Sequence, residues 1–298
     1  RSTFSVFGSD REAPTQFDAR DGQVLLAFDT DLVIPPGGTA AGYVVRSAEI
    51  TLQVANNLVF RLDTTTDPFT NFLPSNDARF TADADLGQPI ELFGVGFRGG
   101  WSETNFVETA PFANAGSSFL SPGVRNVFAA EVDSAGAVRD VSNNPRQGFQ
   151  AKPFAIGKVT GLASGSLVPQ DSIVRFQVDV SDGGIQTYLC RGLDRGRLFL
   201  AVSALTLVQQ QAGDFPVFYS KENALVTFGL AQAPRLRIKV DTVPVCASTD
   251  LDCNGTVDTG DIAIALLEFG PCPGCPSDID GTGFVDFGDV ALIMLDFG

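Results

Sequence analysis

From residue 20 to residue 240 the apolar side chains recur at every second position, in short runs punctuated by Gly, Pro, Asn and Asp. Six runs carry the pattern: QVLLAFDT (23–30), VRSAEITLQV (45–54), IELFGVGFR (90–98), SIVRFQVDV (172–180), GRLFLAVSA (196–204) and APRLRIKV (233–240). Alternation of this kind buries one face of a strand and wets the other. No part of the first 240 residues has a convincing helical period. Roughly ten such strands in series predict a mainly β chain folded as a jelly-roll-like, two-sheet sandwich. The 25 phenylalanines suit its core, where inward residues of both sheets interdigitate. Residues 1–19 hold Phe4, Val6 and Phe7. They read as an edge strand, or as an arm donated to the sheet of a neighbouring copy.

After residue 240 the pattern changes. DLDCNGTVDTGDIAIALLEFG (250–270) and DIDGTGFVDFGDVALIMLDFG (278–298) are identical at 11 of 21 positions. Each copy reads as a twelve-residue acidic loop, a short apolar helix and a closing Phe-Gly. Oxygen-bearing residues stand at loop positions 1, 3, 5, 9 and 12: Asp250, Asp252, Asn254, Asp258 and Asp261, then Asp278, Asp280, Thr282, Asp286 and Asp289. Position 6 is glycine twice, Gly255 and Gly283. Alternating oxygens can converge on one hard cation, and the glycine permits the sharp turn. Position 7 adds a backbone carbonyl, from Thr256 and Phe284. Position 9 often acts through water, and position 12 also caps the helix. Val257 and Val285, at position 8, are expected to pair the two loops. The module therefore predicts two EF-hand-like loops and two Ca2+ ions. Two helices this short and apolar cannot bury each other fully, so they are expected to pack on the main domain or on another subunit.

Charge sharpens the boundary. The chain carries a formal net charge of −15, and residues 241–298 contain eleven acidic groups and no Lys or Arg. A chain this acidic lacks the basic footprint of a nucleic-acid binder or of electrostatic membrane adhesion. No apolar run approaches transmembrane length. The organisation expected is 1–19, 20–240 and 241–298. Four of the five cysteines, Cys246, Cys253, Cys272 and Cys275, lie in the last segment. Among carboxylate loops they read as disulfides of an oxidising compartment, with three pairings open. The start at Arg1 reads as a mature secreted chain whose leader has been removed. Histidine is absent, which removes the usual general base and imidazole metal sites.

Two resemblances follow. The tail resembles the dockerin type I module, a pair of calcium loops each followed by one helix, in the cysteine-flanked form of secreted planctomycete-type proteins. Dockerins engage cohesins through hydroxyl residues at loop positions 10 and 11, whereas this chain has Thr259-Gly260 and Phe287-Gly288. The segments VLLAFDTDLVIPPGG (24–38), VRSAEITLQV (45–54), FRGGWSETNF (97–106) and FYSKENALVTFGLAQAPRLRIKV (218–240) together resemble the DNRLRE-type β-sandwich of secreted bacterial proteins. That resemblance implies a surface-structural or adhesive jelly roll, some of whose relatives bind polysaccharide.

Other candidates have plainer readings. GVGFRG (94–99) spells a dinucleotide fingerprint, but no helical period follows it, so it reads as a glycine-rich strand end. Trp101 with Glu103 could stack and hold a sugar; the alternative is a tryptophan sealing one end of the core. Cys190 reads as a small buried apolar residue. No carboxylate pair stands out for hydrolysis. The chain is expected to be a non-enzymatic extracellular building block attached to copies of itself or to a cell-surface protein. The alternative is a polysaccharide-binding module anchored by the tail.

Overall fold

The computed structural model describes residues 2–9, 17–36, 39–114, 117, 121–207, 214–242 and 246–298. Residues 10–16 of the predicted N-terminal segment and 243–245, just past the predicted boundary at 240, lie outside the described residues. The fold is mainly β, with 30% strand and 16% helix. Two compact units emerge: Arg1–Ala40 with Val44–Asp241, and Thr242–Gly298 with Ala41–Tyr43.

In chain order the strands of the first unit begin with β1 (Thr3–Ser5), β2 (Val24–Asp29), β3 (Tyr43–Gln53), β4 (Leu62–Asp63) and β5 (Gln88–Phe97). Next come β6 (Val127–Val132), β7 (Val138–Asp140), β8 (Ala155–Ile156), β9 (Lys158–Val159) and β10 (Ile173–Gln177). β11 (Arg197–Ala204), β12 (Val217–Tyr219) and β13 (Arg235–Thr242) complete them. All six alternating runs are strands. The larger sheet runs β2-β11-β5-β6-β7, with β4 and β8 also bonded to β5, and a smaller one runs β13-β3-β10-β9. β1 pairs antiparallel with β12 of the same chain, Thr3 opposite Tyr219, and Val6 beside it is fully buried. The N-terminal residues thus form a strand within their own fold.

β5 and β11 are buried on both faces. One face packs Phe93, Val95, Phe199 and Ala201 against Phe106, Ala129, Val141 and Ala151. Residues 155–159 pass from one sheet to the other, Leu92 facing Ala155 and Val174 facing Val159. Gly157 sits at the crossing, where a Cβ would meet Val174 Cγ1 at 2.7 Å.

The first unit also holds helices, which the alternation did not reveal: α1 (Asn144–Gln147), α2 (Gly183–Asp194) and α3 (Ala224–Thr227). α2 has twelve residues, and Ile185, Tyr188, Leu189 and Leu193 form its buried stripe. Asp182 caps it by accepting from the Ile185 amide at 3.0 Å. Two of its glycines are packing sites. A Cβ on Gly184 would lie 2.1 Å from the Asp133 carbonyl oxygen, and one on Gly192 would lie 2.7 Å from Leu198 Cδ1. Cys190 is buried in this helix. GVGF of the GVGFRG stretch lies within β5, and a turn at Gly99-Gly100 rather than a helix comes next.

The second unit contains α4 (Thr259–Leu267), β14 (Gly270–Pro271), β15 (Phe284–Val285) and α5 (Phe287–Leu295). Ala265, Val285 and Ile293 form its centre. Val257 packs against the cluster that holds Val285, while the backbone bonds of the two are crossed. Val285 pairs with Gly270, which ends the first repeat. Val257 accepts from the amide of Gly298, which ends the second, at 3.4 Å. Each loop is thus held by the closing glycine of the other repeat, because the helix that follows each loop returns its end to the partner loop.

Candidate metal centres

Both loops of the second unit are wound by their own carboxylates. In the first, Asp250 accepts from the amides of Asn254 at 3.1 Å and Gly255 at 3.0 Å. Asp252 accepts from the Asn254 amide at 3.0 Å. Asp261 reaches back across the loop and accepts from Leu251 at 2.6 Å, Asp252 at 3.1 Å and Asp258 at 2.8 Å. The second loop repeats the scheme: Asp289 accepts from Ile279 at 2.7 Å, Asp280 at 3.1 Å and Asp286 at 2.8 Å. Position 6 is left-handed in both loops, with Gly255 at φ 89° and Gly283 at φ 84°. So is position 4, with Cys253 at φ 59° and Gly281 at φ 70°.

This winding brings position 1, 3 and 12 carboxylates together. Asp250, Asp252 and Asp261 each offer an oxygen within 4.8 Å of the others, as do Asp278, Asp280 and Asp289. Such a span fits the oxygen shell of a hard cation. Asp278 Oδ1 is buried without a hydrogen-bond partner, an oxygen whose desolvation a cation would compensate. Backbone amides, that of Asp258 foremost, hold the Asp261 carboxyl below its ordinary range. At Asp289 burial acts upward, but the amides of Asp286, Asp280 and Ile279 outweigh it. Both groups are therefore carboxylates at neutral pH.

Asp258 and Asp286 stand outside these triads and serve as helix N-caps in reciprocal capping boxes. Asn254 accepts from the Thr256 amide at 2.9 Å. Thr282 donates to the Phe284 carbonyl at 3.2 Å, which leaves the second lone pair of that expected ligand oxygen available. The glycines at position 11 have a local cause. A Cβ on Gly260 would lie 3.0 Å from Asp258 Oδ1 and 3.1 Å from Asp252 Oδ2, and Gly288 has the same neighbours in Asp286 and Asp280. The disulfides are Cys246–Cys253 and Cys272–Cys275.

Trp101 and Glu103 line a cleft of about 410 Å³ between the ends of β5 and β11, with Tyr188, Arg191 and Arg195. Trp101 is half-buried and packs edge-on against Phe106 at 5.6 Å. Glu103 is held by Arg195 at 2.6 Å.

The sequence reading passed over two further acidic places. Arg20 and Glu91 form a buried ion pair, with Arg20 Nε also donating to Asn144 Oδ1 at 3.0 Å. Asp63, Asp67 and Asp85 form another carboxylate triad in the first unit. No protein-family model, curated protein or solved structure matches the chain.

Proposed function

We propose that the chain is a non-enzymatic, secreted structural protein, in which a jelly-roll-like β-sandwich of DNRLRE type carries a dockerin-like tail that binds two Ca2+ ions and attaches to neighbouring copies. One observation carries the reading. The two carboxylate triads abut helices that leave large apolar side chains in solvent, Leu267 at 87%, Leu295 at 80% and Phe287 at 75% exposure. Exposed apolar surface of this kind marks an interaction site. Asp250, Asp252 and Asp261 would hold one ion, and Asp278, Asp280 and Asp289 the other. The ions supply the positive charge that lets six carboxylates sit together, so the shape of the apolar face depends on them.

The first unit offers a complementary surface. An open groove of about 830 Å³ runs beside the edge strand β13 and is lined by Val33, Ile34, Arg235, Arg237 and Lys239. Among the described residues these three cations form no ion pair. An acidic, apolar tail from a second copy matches that groove in charge and hydropathy, and repeated head-to-tail contacts that do not close produce filaments. Negative-stain electron microscopy and sedimentation of the full chain, in calcium and in chelator, test the reading. Assemblies in calcium that fall to single chains in chelator are expected. Single chains at high concentration in calcium would sink it.

The second reading, a polysaccharide-binding module, rests on the Trp101 cleft, where an indole, a carboxylate and guanidinium groups line one opening. Affinity electrophoresis in soluble polysaccharides tests it: retardation that Trp101→Ala abolishes would favour it, and no retardation in any gel would remove it.

A further inference from the structure

The carboxylate triad of the first unit arises from the edge of the large sheet. Asp63 ends β4 and is fully buried, and Asp67 is 8% exposed. Asp63 Oδ1 is occupied: it accepts from the Thr65 amide and hydroxyl, each at 2.8 Å, and from Ser164 Oγ at 3.3 Å. Asp63 Oδ2 and Asp67 Oδ2 are buried and have no hydrogen-bond partner. Asp85, on the loop leading into β5, completes the set, with one oxygen of each residue within 4.8 Å of the others. Gln88 follows on β5, opposite Leu62 in the parallel ladder. Its Oε1 is also buried without a partner, while its amide donates to Asp83 at 2.8 Å. Among the described residues no Lys or Arg pairs with Asp63, Asp67 or Asp85.

Orphaned, buried carboxylate oxygens are costly, because desolvation is uncompensated and like charges face each other. Burial, together with Asp83, Asp63, Asp85 and Glu91, pushes the Asp67 carboxyl up to about 7. A divalent cation removes both penalties. We propose that Asp63, Asp67 and Asp85 form a third cation site, for an ion of calcium's size, which ties residues 64–87 to the edge of the large sheet. Calcium suits the donor set better than magnesium: three carboxylates, two from the end of β4 and the stretch after it and one from the loop before β5, form an irregular shell, whereas magnesium demands a near-octahedral one and keeps its water. The site is independent of the tail and has a stabilising rather than an attaching role.

The test counts ions on the full chain. Protein stripped with chelator is dialysed against Ca2+, and bound calcium is measured by atomic emission beside the melting temperature. The native chain is expected to bind three ions. The tail variant Asp250→Asn/Asp278→Asn is expected to retain one, and Asp85→Asn and Asp67→Asn each to bind one fewer than native, with a smaller calcium-dependent rise in melting. Asp85 is exposed, so Asp85→Asn answers should Asp67→Asn fail to fold. A native chain with one ion, lost in Asp85→Asn, upholds this site and sinks the tail reading. A tail variant that binds none, or an Asp85→Asn chain that binds as many ions as native, overturns the proposal.

Discussion

The Tyr188 hydroxyl accepts the Val95 amide hydrogen at 2.8 Å and donates to the Phe199 carbonyl at 2.7 Å. β5 and β11 are bonded from Ile90 opposite Ala204 to Phe93 opposite Ala201. In that register Val95 and Phe199 face each other, and the hydroxyl stands in for their ladder bond. A helix side chain thus wedges the two strands apart and opens the cleft beside Trp101. Gly94 makes room for the ring, since a Cβ there would lie 2.8 Å from Phe154 Cζ and 3.1 Å from Tyr188 Cζ. Tyr188→Phe leaves a buried N–H and C=O unpaired and is expected to cost about 1–3 kcal/mol in urea unfolding.

Burial of Tyr188 raises its phenol well above the ordinary value. A raised folded pKa means that its contribution to stability is complete below the unfolded value, near 10, and is lost as pH climbs above that. Tyr188→Phe should therefore flatten the alkaline fall in melting temperature. An unchanged alkaline slope would show that the hydroxyl is not the group responsible.

Glu91 and Arg20 neutralise each other out of contact with water, and the guanidinium lies 4.9 Å from the Phe93 ring centroid. Glu91→Gln leaves that cation uncompensated and is expected to cost about 3–5 kcal/mol. Arg20→Met/Glu91→Leu should recover most of the loss. The urea midpoints of the two variants provide the comparison.

In the tail, Asp261→Ala removes the acceptor of three amides and should abolish the helical circular-dichroism gain on adding calcium at that repeat. Gly260→Ala should weaken calcium at the same loop about tenfold, because the methyl crowds Asp258 and Asp252, and leave the β unit's melting unchanged. Calorimetric titration of each variant gives the affinity.

If the tail of one copy seats on the groove of another, Arg235→Glu/Arg237→Glu/Lys239→Glu should prevent assembly in calcium. In the native chain assembly should weaken between 50 and 500 mM salt, as expected of solvent-exposed charge pairing. Sedimentation velocity reads both.

The six alternating runs were legible because strands that face solvent on one side write their burial into every second residue; β13 does so along its length. β5 does not, yet Ile, Leu and Phe bounded by glycine still mark it. α2 was hidden because Gly183, Gly184 and Gly192 read as turn signals, while the cause of Gly184 and Gly192 is the Asp133 backbone and the Leu198 side chain elsewhere in the fold. The clustering of the tail carboxylates was legible because a local loop spaces them regularly. Asp63, Asp67 and Asp85 have no such spacing: the parallel pairing of β4 with β5 brings them together, and no local period records it. The crossed backbone bonds of Val257 and Val285 were unreadable for the same reason.

The duplicated turns of the tail share their acidic positions, yet position 4 is a cysteine bonded to Cys246 in one and Gly281 in the other. A covalently tethered segment has less freedom left to surrender. If each turn takes an ion, the tethered turn should fill first as metal rises, and the other should set the threshold at which the final helix is complete. Loading in two separate steps, merging into one after reduction, would be the visible trace of that asymmetry.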